Sequence, residues 1–147
     1  MQICFAVPTG STSQSNVGIS FVGGGGFFST VLDFENSKFY FSYLNAVNAI
    51  INTDLVTGLT LNAGNFVSGK RYRIYMRLIT TTTTEFYLSS ADWNSSVWTT
   101  LYDAIVTHAV PSYRFTQATP TFYINTNDAV SKTMLIDWAA VGFEMQR

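Results

Sequence analysis

The chain of 147 residues has the size of one domain, and residues 1–147 show no repeat or long linker. Hydrophobic residues make up 47% of it and charged residues 12%, with eight basic side chains against nine acidic ones. Nucleic-acid binding needs a dense basic surface that releases counterions from phosphates, so this balance predicts no nucleic-acid partner. So little charge leaves little self-repulsion, which favours a subunit that assembles with copies of itself (a homo-oligomer) or with other proteins.

The start of the chain lacks the basic and apolar leader of a signal peptide, and no run reaches the roughly 18 apolar residues of a membrane span. We therefore expect synthesis in the cytoplasm, without a signal peptide and without a membrane partner. Cys4 is the single cysteine, so it can form neither an internal disulfide nor a zinc site alone. It has no basic neighbours in sequence to lower its pKa, and we expect a small buried residue. Residues 9–16, a polar tract, are predicted to be a flexible loop.

Side chains that alternate between apolar and polar predict β-strands along most of the chain. The first clear runs are residues 27–34 and 39–44. The glycine run before them, residues 23–26, predicts a turn, because a phosphate-binding loop would continue with Gly-Lys-Ser/Thr and a helix. The strongest alternation lies in residues 71–79. Its apolar face consists of Tyr72, Ile74, Met76 and Leu78, and its wet face consists of Arg71, Arg73, Tyr75 and Arg77.

Further strands are predicted at residues 85–89, 121–124 and 133–145. In the last of these the alternation slips by one residue at Ala139-Ala140, which predicts a β-bulge there. Residues 96–108 have apolar spacing that would suit a helix, but their many β-branched residues favour a strand and a loop. Many short strands with turns about every ten residues predict a sandwich or a barrel.

Three segments resemble the concanavalin A-like (laminin-G-like) jelly-roll domains, in particular those found in phage virion proteins. They are FYFSYLN with VSGKRYRIYMRL (residues 39–45 and 67–78), EFYLSS (residues 85–90) and MLIDWAAVGFEM (residues 134–145). The resemblance covers residues 31–145 and implies an all-β, two-sheet antiparallel β-sandwich of jelly-roll type. It also implies a domain that binds glycans or decorates larger structures, or in some members a glycosidase.

No combination of side chains predicts catalysis. Asp33 and Glu35 are the nearest carboxylate pair, but they run into a turn, where solvated residues are the usual interpretation, and the glycosidase signature of the family is missing. His108, the single histidine, lies at a loop edge and is expected to be structural. The oxygen-rich loops at residues 92–94 and 125–128 lack a second carboxylate for calcium. We therefore expect no enzyme, no cofactor and no metal.

The remaining binding candidates are aromatic. Asp92, Trp93 and Asn94 combine a ring on which a sugar can stack with polar groups that hold its hydroxyls, and Tyr113 with Arg114 forms a second candidate. For both sets the alternative is that the rings cap the core or lie in a subunit contact, where Trp, Tyr and Arg are also enriched. The wet face of residues 71–77 is a further candidate, with an ordinary solvated or interfacial face as its alternative.

From these features we expect a non-enzymatic structural protein of a virion, and the resemblance suggests a phage. It would be assembled in the host cytoplasm and act as a decoration or attachment module whose partners are other virion proteins or copies of itself. The alternative function is a glycan-binding module that recognises the host from a tail fibre. A glycosidase that cleaves polysaccharide ranks third.

Overall fold

The structure, a computed structural model, describes residues 1–6, 15–23, 26–45, 47, 49–61, 69–109, 119–126 and 134–142. All regular secondary structure in these residues is β-strand. None of them forms a helix long and apolar enough to cross a membrane. The strands are β1 (Gln2–Ala6), β2 (Ser15–Gly23), β3 (Gly26–Asp33), β4 (Lys38–Leu44), β5 (Ile50–Val56), β6 (Lys70–Thr80), β7 (Thr83–Asp92), β8 (Thr99–Thr107), β9 (Thr119–Thr126) and β10 (Leu135–Ala140).

These strands form two five-stranded sheets. The first sheet has the order β10-β1-β6-β7-β8, and the second has the order β5-β4-β3-β2-β9. All neighbouring strands pair antiparallel. The described part of the chain is therefore an all-β sandwich of two antiparallel sheets, which confirms the predicted fold class and is compatible with a jelly roll.

The core lies between the two sheets because each strand turns one row of side chains inward. On the predicted apolar face of β6, Tyr72, Ile74 and Met76 are fully buried and Leu78 is partly buried. At the centre, Phe28 and Phe41 of the second sheet stack on Phe86 of the first, with ring centroids 6.3 and 5.0 Å apart. Each buried side chain of this size contributes about 1.5–3 kcal/mol, so this aromatic cluster holds the sheets together.

The segment that could have been a helix is a strand. Residues Thr99–Thr107 form β8, which pairs antiparallel with β7 over almost its whole length. Directly after it, the backbone N–H of His108 donates to the carbonyl of Thr82 at 2.9 Å. The preference for a strand, drawn from the β-branched residues, is confirmed.

The β-bulge lies at a different residue from the predicted one. Ala139-Ala140 pairs regularly with β1, so the prediction of a bulge there is wrong. The ladder is irregular at Asp137 instead, because its neighbours Ile136 and Trp138 pair with consecutive residues of β1. A bulge turns adjacent side chains towards the same side of a sheet, and both Asp137 and Trp138 contact arginines of β6 on its outer face.

The strands on either side of two predicted loops include some of the residues that were assigned to those loops. Ser15 and Asn16, at the end of the segment predicted to be flexible, belong to β2 and pair with β9. Residues 9–14 of that segment lie outside the described residues. Gly23 of β2 lies opposite Gly26 of β3, as expected for two strands joined at the glycine run, whose residues 24–25 are also outside the described part.

Candidate functional site

The predicted site residues Asp92, Trp93 and Asn94 lie where β7 ends and the chain turns towards β8. The Asp92 carboxylate pairs with Lys70 at 3.5 Å, and Asn94 is exposed. The Trp93 ring lies against the guanidinium of Arg71, 5.7 Å from the ring centroid. The structure therefore joins two candidate surfaces that are separate in sequence, the loop at residues 92–94 and the wet face of β6.

The other candidates from the sequence were a second aromatic pair and a metal site in a loop. Tyr113 and Arg114 lie outside the described residues, so their role in binding stays a prediction. Within the described ranges, no group of three or more His, Cys, Asp or Glu side chains is placed to hold a metal ion.

His108 is buried beside the core, at the end of β8. Its Nδ1 donates to the carbonyl of Ala109 at 2.9 Å, and its Nε2 lies 2.9 Å from the hydroxyl of Thr84, which can donate to it. The ring packs on Phe28 and Phe41, with centroids 5.0 and 5.8 Å away. Both ring nitrogens are occupied by structural partners, so the histidine helps to close the end of the core.

Cys4 is fully buried on β1, as expected, but its surroundings differ from the prediction. Arg71 and Arg73 lie near it in space and tend to lower its pKa, whereas the sequence alone indicated no basic neighbours. Burial and the nearby Asp137, which accepts a hydrogen bond from Sγ at 3.6 Å, outweigh them and raise the pKa of the thiol to about 11. The thiol is therefore protonated at neutral pH and a poor nucleophile.

Of the carboxylate pair at the end of β3, Glu35 is solvated as predicted and Asp33 is not. Asp33 is buried, with 4% exposure, while Glu35 is exposed in the turn. The two oxygens of Asp33 accept hydrogen bonds from the backbone N–H and the side-chain amide of Asn36, at 2.9 and 2.8 Å. The prediction of a solvated Asp33 is wrong because this carboxylate holds the β3–β4 turn together.

A further candidate surface lies on the outer face of the second sheet. An open cavity of about 400 Å³ lies there, over β4, β3, β2 and β9. Its floor is a row of hydroxyl side chains, one from each strand, which the ladder places side by side in the order Ser42, Ser29, Ser20 and Thr121. We call this row, together with Phe27, Tyr40 and Tyr123 beside it, the hydroxyl groove.

Only part of the hydroxyl row is engaged within the protein. Ser20 donates to the carbonyl of Phe28 at 3.4 Å, and Ser29 donates to the carbonyl of Ser42 at 3.3 Å. The hydroxyls of Ser42 and Thr121 have no hydrogen-bond partner among the described residues. The groove therefore offers polar groups whose hydrogen bonds a ligand could complete.

One wall of the groove depends on the absence of a side chain at Gly18. A Cβ atom placed on Gly18 would lie 2.7 Å from the hydroxyl oxygen of Tyr123 and 2.5 Å from the backbone oxygen of Thr30. Atoms do not pack that closely, so only glycine allows the end of the Tyr123 side chain to lie over β2 at this point. The tyrosine is thereby kept at the edge of the hydroxyl row.

The side chains that line the groove are uncharged, and the nearest described cation is Lys38, whose Nζ lies 5.0 Å from the centroid of the Tyr40 ring. Burial raises the pKa of Tyr123 to about 12, against the opposite effect of its hydrogen bond with Ser29. Burial also raises the pKa of Tyr40, and the carboxylates of Asp33 and Asp54 act in the same direction. Both tyrosines are therefore neutral hydroxyls at neutral pH, and no described residue that lines the cavity is charged.

Sequence reasoning missed this groove although part of its signal was visible. The alternation in residues 27–34 places Phe27 and Ser29 on one face, and that in residues 39–44 does the same for Tyr40 and Ser42. Serines that alternate with aromatic residues on a strand are an unusual outer face. Their alignment with β2 and β9 follows from strand order, which alternation does not contain.

Comparisons of the chain with protein-family models, with curated proteins and with solved structures found no match. The fold and the groove define an all-β sandwich with an uncharged, hydroxyl-lined surface on its second sheet.

Proposed function

We propose that this protein is a non-enzymatic carbohydrate-binding module whose hydroxyl groove holds a neutral glycan. The observation that carries this proposal is the row of four hydroxyl side chains, flanked by Tyr40 and Tyr123 and without charge. A sugar presents hydroxyls that need hydrogen-bond partners and apolar C–H faces that stack on aromatic rings. The groove combines both kinds of group, as ligand sites with a few placed polar groups do.

The size of the groove and its hydrogen bonds indicate weak binding at each site. Its volume of about 400 Å³ lies at the lower end of the roughly 300–1,000 Å³ that is usual for small-ligand sites. Each hydrogen bond from Ser42 or Thr121 to a sugar contributes only about 0.5–1.5 kcal/mol. Useful avidity would therefore come from several copies of the site acting together, which fits a homo-oligomer.

The same geometry favours binding over cleavage. Glycosidases usually need two carboxylates that flank the scissile bond, and none of the described residues lining the groove is Asp or Glu. The nearest buried carboxylate, Asp33, is engaged by Asn36 in a turn. We infer that a glycan bound in the groove is released without being cleaved.

We propose that the protein is part of a virion, in which the sandwich serves as an attachment module. This proposal is supported by the resemblance of three segments to the concanavalin A-like jelly rolls of phage virion proteins, and by the low charge of the chain. Its partners there would be copies of itself or other virion proteins. Light scattering tests this assembly: we expect an oligomer, and a strict monomer at high concentration with no affinity for particles would argue against it.

A glycan array tests the binding function. We expect the wild-type protein to bind a subset of neutral glycans and Tyr40→Ala to lose that binding, because it removes one aromatic wall. Tyr87→Ala is the matched control, since Tyr87 is a half-buried tyrosine of the first sheet, outside the groove. Circular dichroism checks that both variants are folded. Silence across the array, or equal binding by the two variants, would contradict the proposal.

A further inference from the structure

The three tryptophans of the chain gather on the outer face of the first sheet, opposite to the side that carries the hydroxyl groove. Trp93 follows β7, Trp98 precedes β8 and Trp138 lies on β10, so three separate segments bring them together. Arg71 and Arg73 of β6 lie over their rings. We call these five residues the tryptophan–arginine patch.

The charge of Arg71 is balanced within the protein. Its guanidinium lies 5.2 Å from the Trp98 centroid, and its Nη1 pairs with the Asp137 carboxylate at 3.3 Å. Its Nη2 donates to the carbonyl of Ser95 at 2.7 Å. Arg71 is thus a structural residue that holds the loop after β7 and the bulge of β10 against β6.

Arg73 has aromatic contacts but no anionic partner. Its guanidinium lies 4.0 Å from the Trp98 centroid and 5.6 Å from that of Trp138. The other described Lys and Arg side chains each pair with a carboxylate, as Lys38–Asp54, Lys70–Asp92, Arg71–Asp137 and Arg77–Glu85. Within the described ranges no carboxylate pairs with Arg73, and its buried Nε has no hydrogen-bond partner. Among the described residues, the groups that lie against its charge are the faces of the two indole rings.

The described residues around Arg73 leave its positive charge uncompensated. Arg71 and Asp137 neutralise each other, and the thiol of Cys4, which lies opposite Arg73 in the ladder, is protonated at neutral pH. Together with Asp137, the patch thus has two positive side chains and one negative side chain among the described residues. A ligand that carries a single negative group would complement this excess positive charge.

We propose that the tryptophan–arginine patch binds the carboxylate of an acidic sugar, of the uronate or sialate class. A guanidinium is planar and can donate two parallel hydrogen bonds to a carboxylate. The indole rings beside Arg73 are half-buried, and the part of them that stays accessible is apolar surface against which a pyranose ring can pack. This second site lies on the opposite sheet from the hydroxyl groove, and it does not depend on the groove being a glycan site.

The position of the tryptophans makes this inference directly testable. Every tryptophan of the chain lies in the patch, whereas the aromatic residues of the groove are Phe and Tyr. Tryptophan fluorescence therefore reports on the patch. We would titrate the protein with trigalacturonate and, in parallel, with the neutral galactotriose. The acidic trisaccharide should produce a saturable change in emission and the neutral one none.

Three variants identify the residue responsible. Arg73→Gln should raise the apparent Kd for trigalacturonate about tenfold or more, because the charge-assisted hydrogen bonds are lost. Arg73→Lys keeps the charge without the planar donor pair, so its Kd should lie between those of the wild type and Arg73→Gln. The matched control is Arg77→Gln, since Arg77 lies on the same face of β6 but is paired with Glu85, and it should leave Kd unchanged. Circular dichroism establishes that each variant is folded.

Several results would overturn the proposal. The acidic trisaccharide could leave the emission unchanged, the neutral one could give the same response, or the two glutamine variants could weaken binding equally. Emission that shifts on dilution of the protein alone would assign the patch to a contact between copies and would also overturn it. If the hydroxyl groove does not bind glycans, the array of neutral glycans shows no binding while the fluorescence titration of the patch still gives the expected result. The two proposals can therefore fail separately.

Discussion

Replacing Gly18 with alanine should destabilise the protein and deform the groove at the same time. The new methyl group would lie 2.5 Å from the Thr30 carbonyl and 2.7 Å from the Tyr123 hydroxyl oxygen. The backbone oxygen cannot move without disturbing the β2–β3 ladder, so most of the adjustment falls on Tyr123. Overpacking costs about 1–3 kcal/mol, and loss of the hydrogen bond between Tyr123 and Ser29 costs about 0.5–1.5 kcal/mol more.

The total of about 1.5–4.5 kcal/mol should lower Tm by roughly 3–18 °C in a domain of this size. Thermal unfolding followed by circular dichroism measures the shift. Gly142→Ala is the matched control, because a methyl group there would contact nothing within 4 Å. If Gly18→Ala melts at the same temperature as Gly142→Ala, the close approach of Tyr123 to β2 is refuted. If it is destabilised but binds glycans normally, Tyr123 is not part of the binding wall.

Two further predictions concern stability. Asp33→Ala should lower the free energy of unfolding by about 1–2 kcal/mol in urea denaturation, because both hydrogen bonds to Asn36 are lost, whereas the exposed Asp103→Ala should change it by less than about 0.5 kcal/mol. Equal effects of these two substitutions would contradict the role of Asp33 in the turn. Because the pKa of Tyr123 is raised from 10.0 to about 12, its stabilising effect is complete below pH 10 and is lost as the pH rises towards 12. The free energy of unfolding of Tyr123→Phe should therefore fall less than that of the wild type between pH 10 and 12. If the two proteins show the same dependence of this free energy on pH, the burial of the Tyr123 hydroxyl is contradicted.

The local structure was largely contained in the sequence. The alternation in residues 71–79 predicted which side chains of β6 are buried, and the β-branched residues of 96–108 predicted β8 over a helix. Both signals depend on neighbouring residues alone, because successive Cβ atoms of a strand point to opposite faces and β-branched side chains suit that backbone. The same local logic failed at Asp33, whose burial depends on the turn that follows it.

Both candidate sites, by contrast, depend on which strands are neighbours. The hydroxyl row exists because β9 lies beside β2, and the tryptophan–arginine patch exists because β1 lies between β6 and β10 with a bulge at Asp137. Trp138 and Arg73 are far apart in sequence, and nothing in either segment encodes their contact. Alternation assigns a residue to a face, but strand order and register assign its neighbours. These are set by the packing of the whole sandwich, so the sequence alone determined the faces and only the tertiary structure assembled the sites.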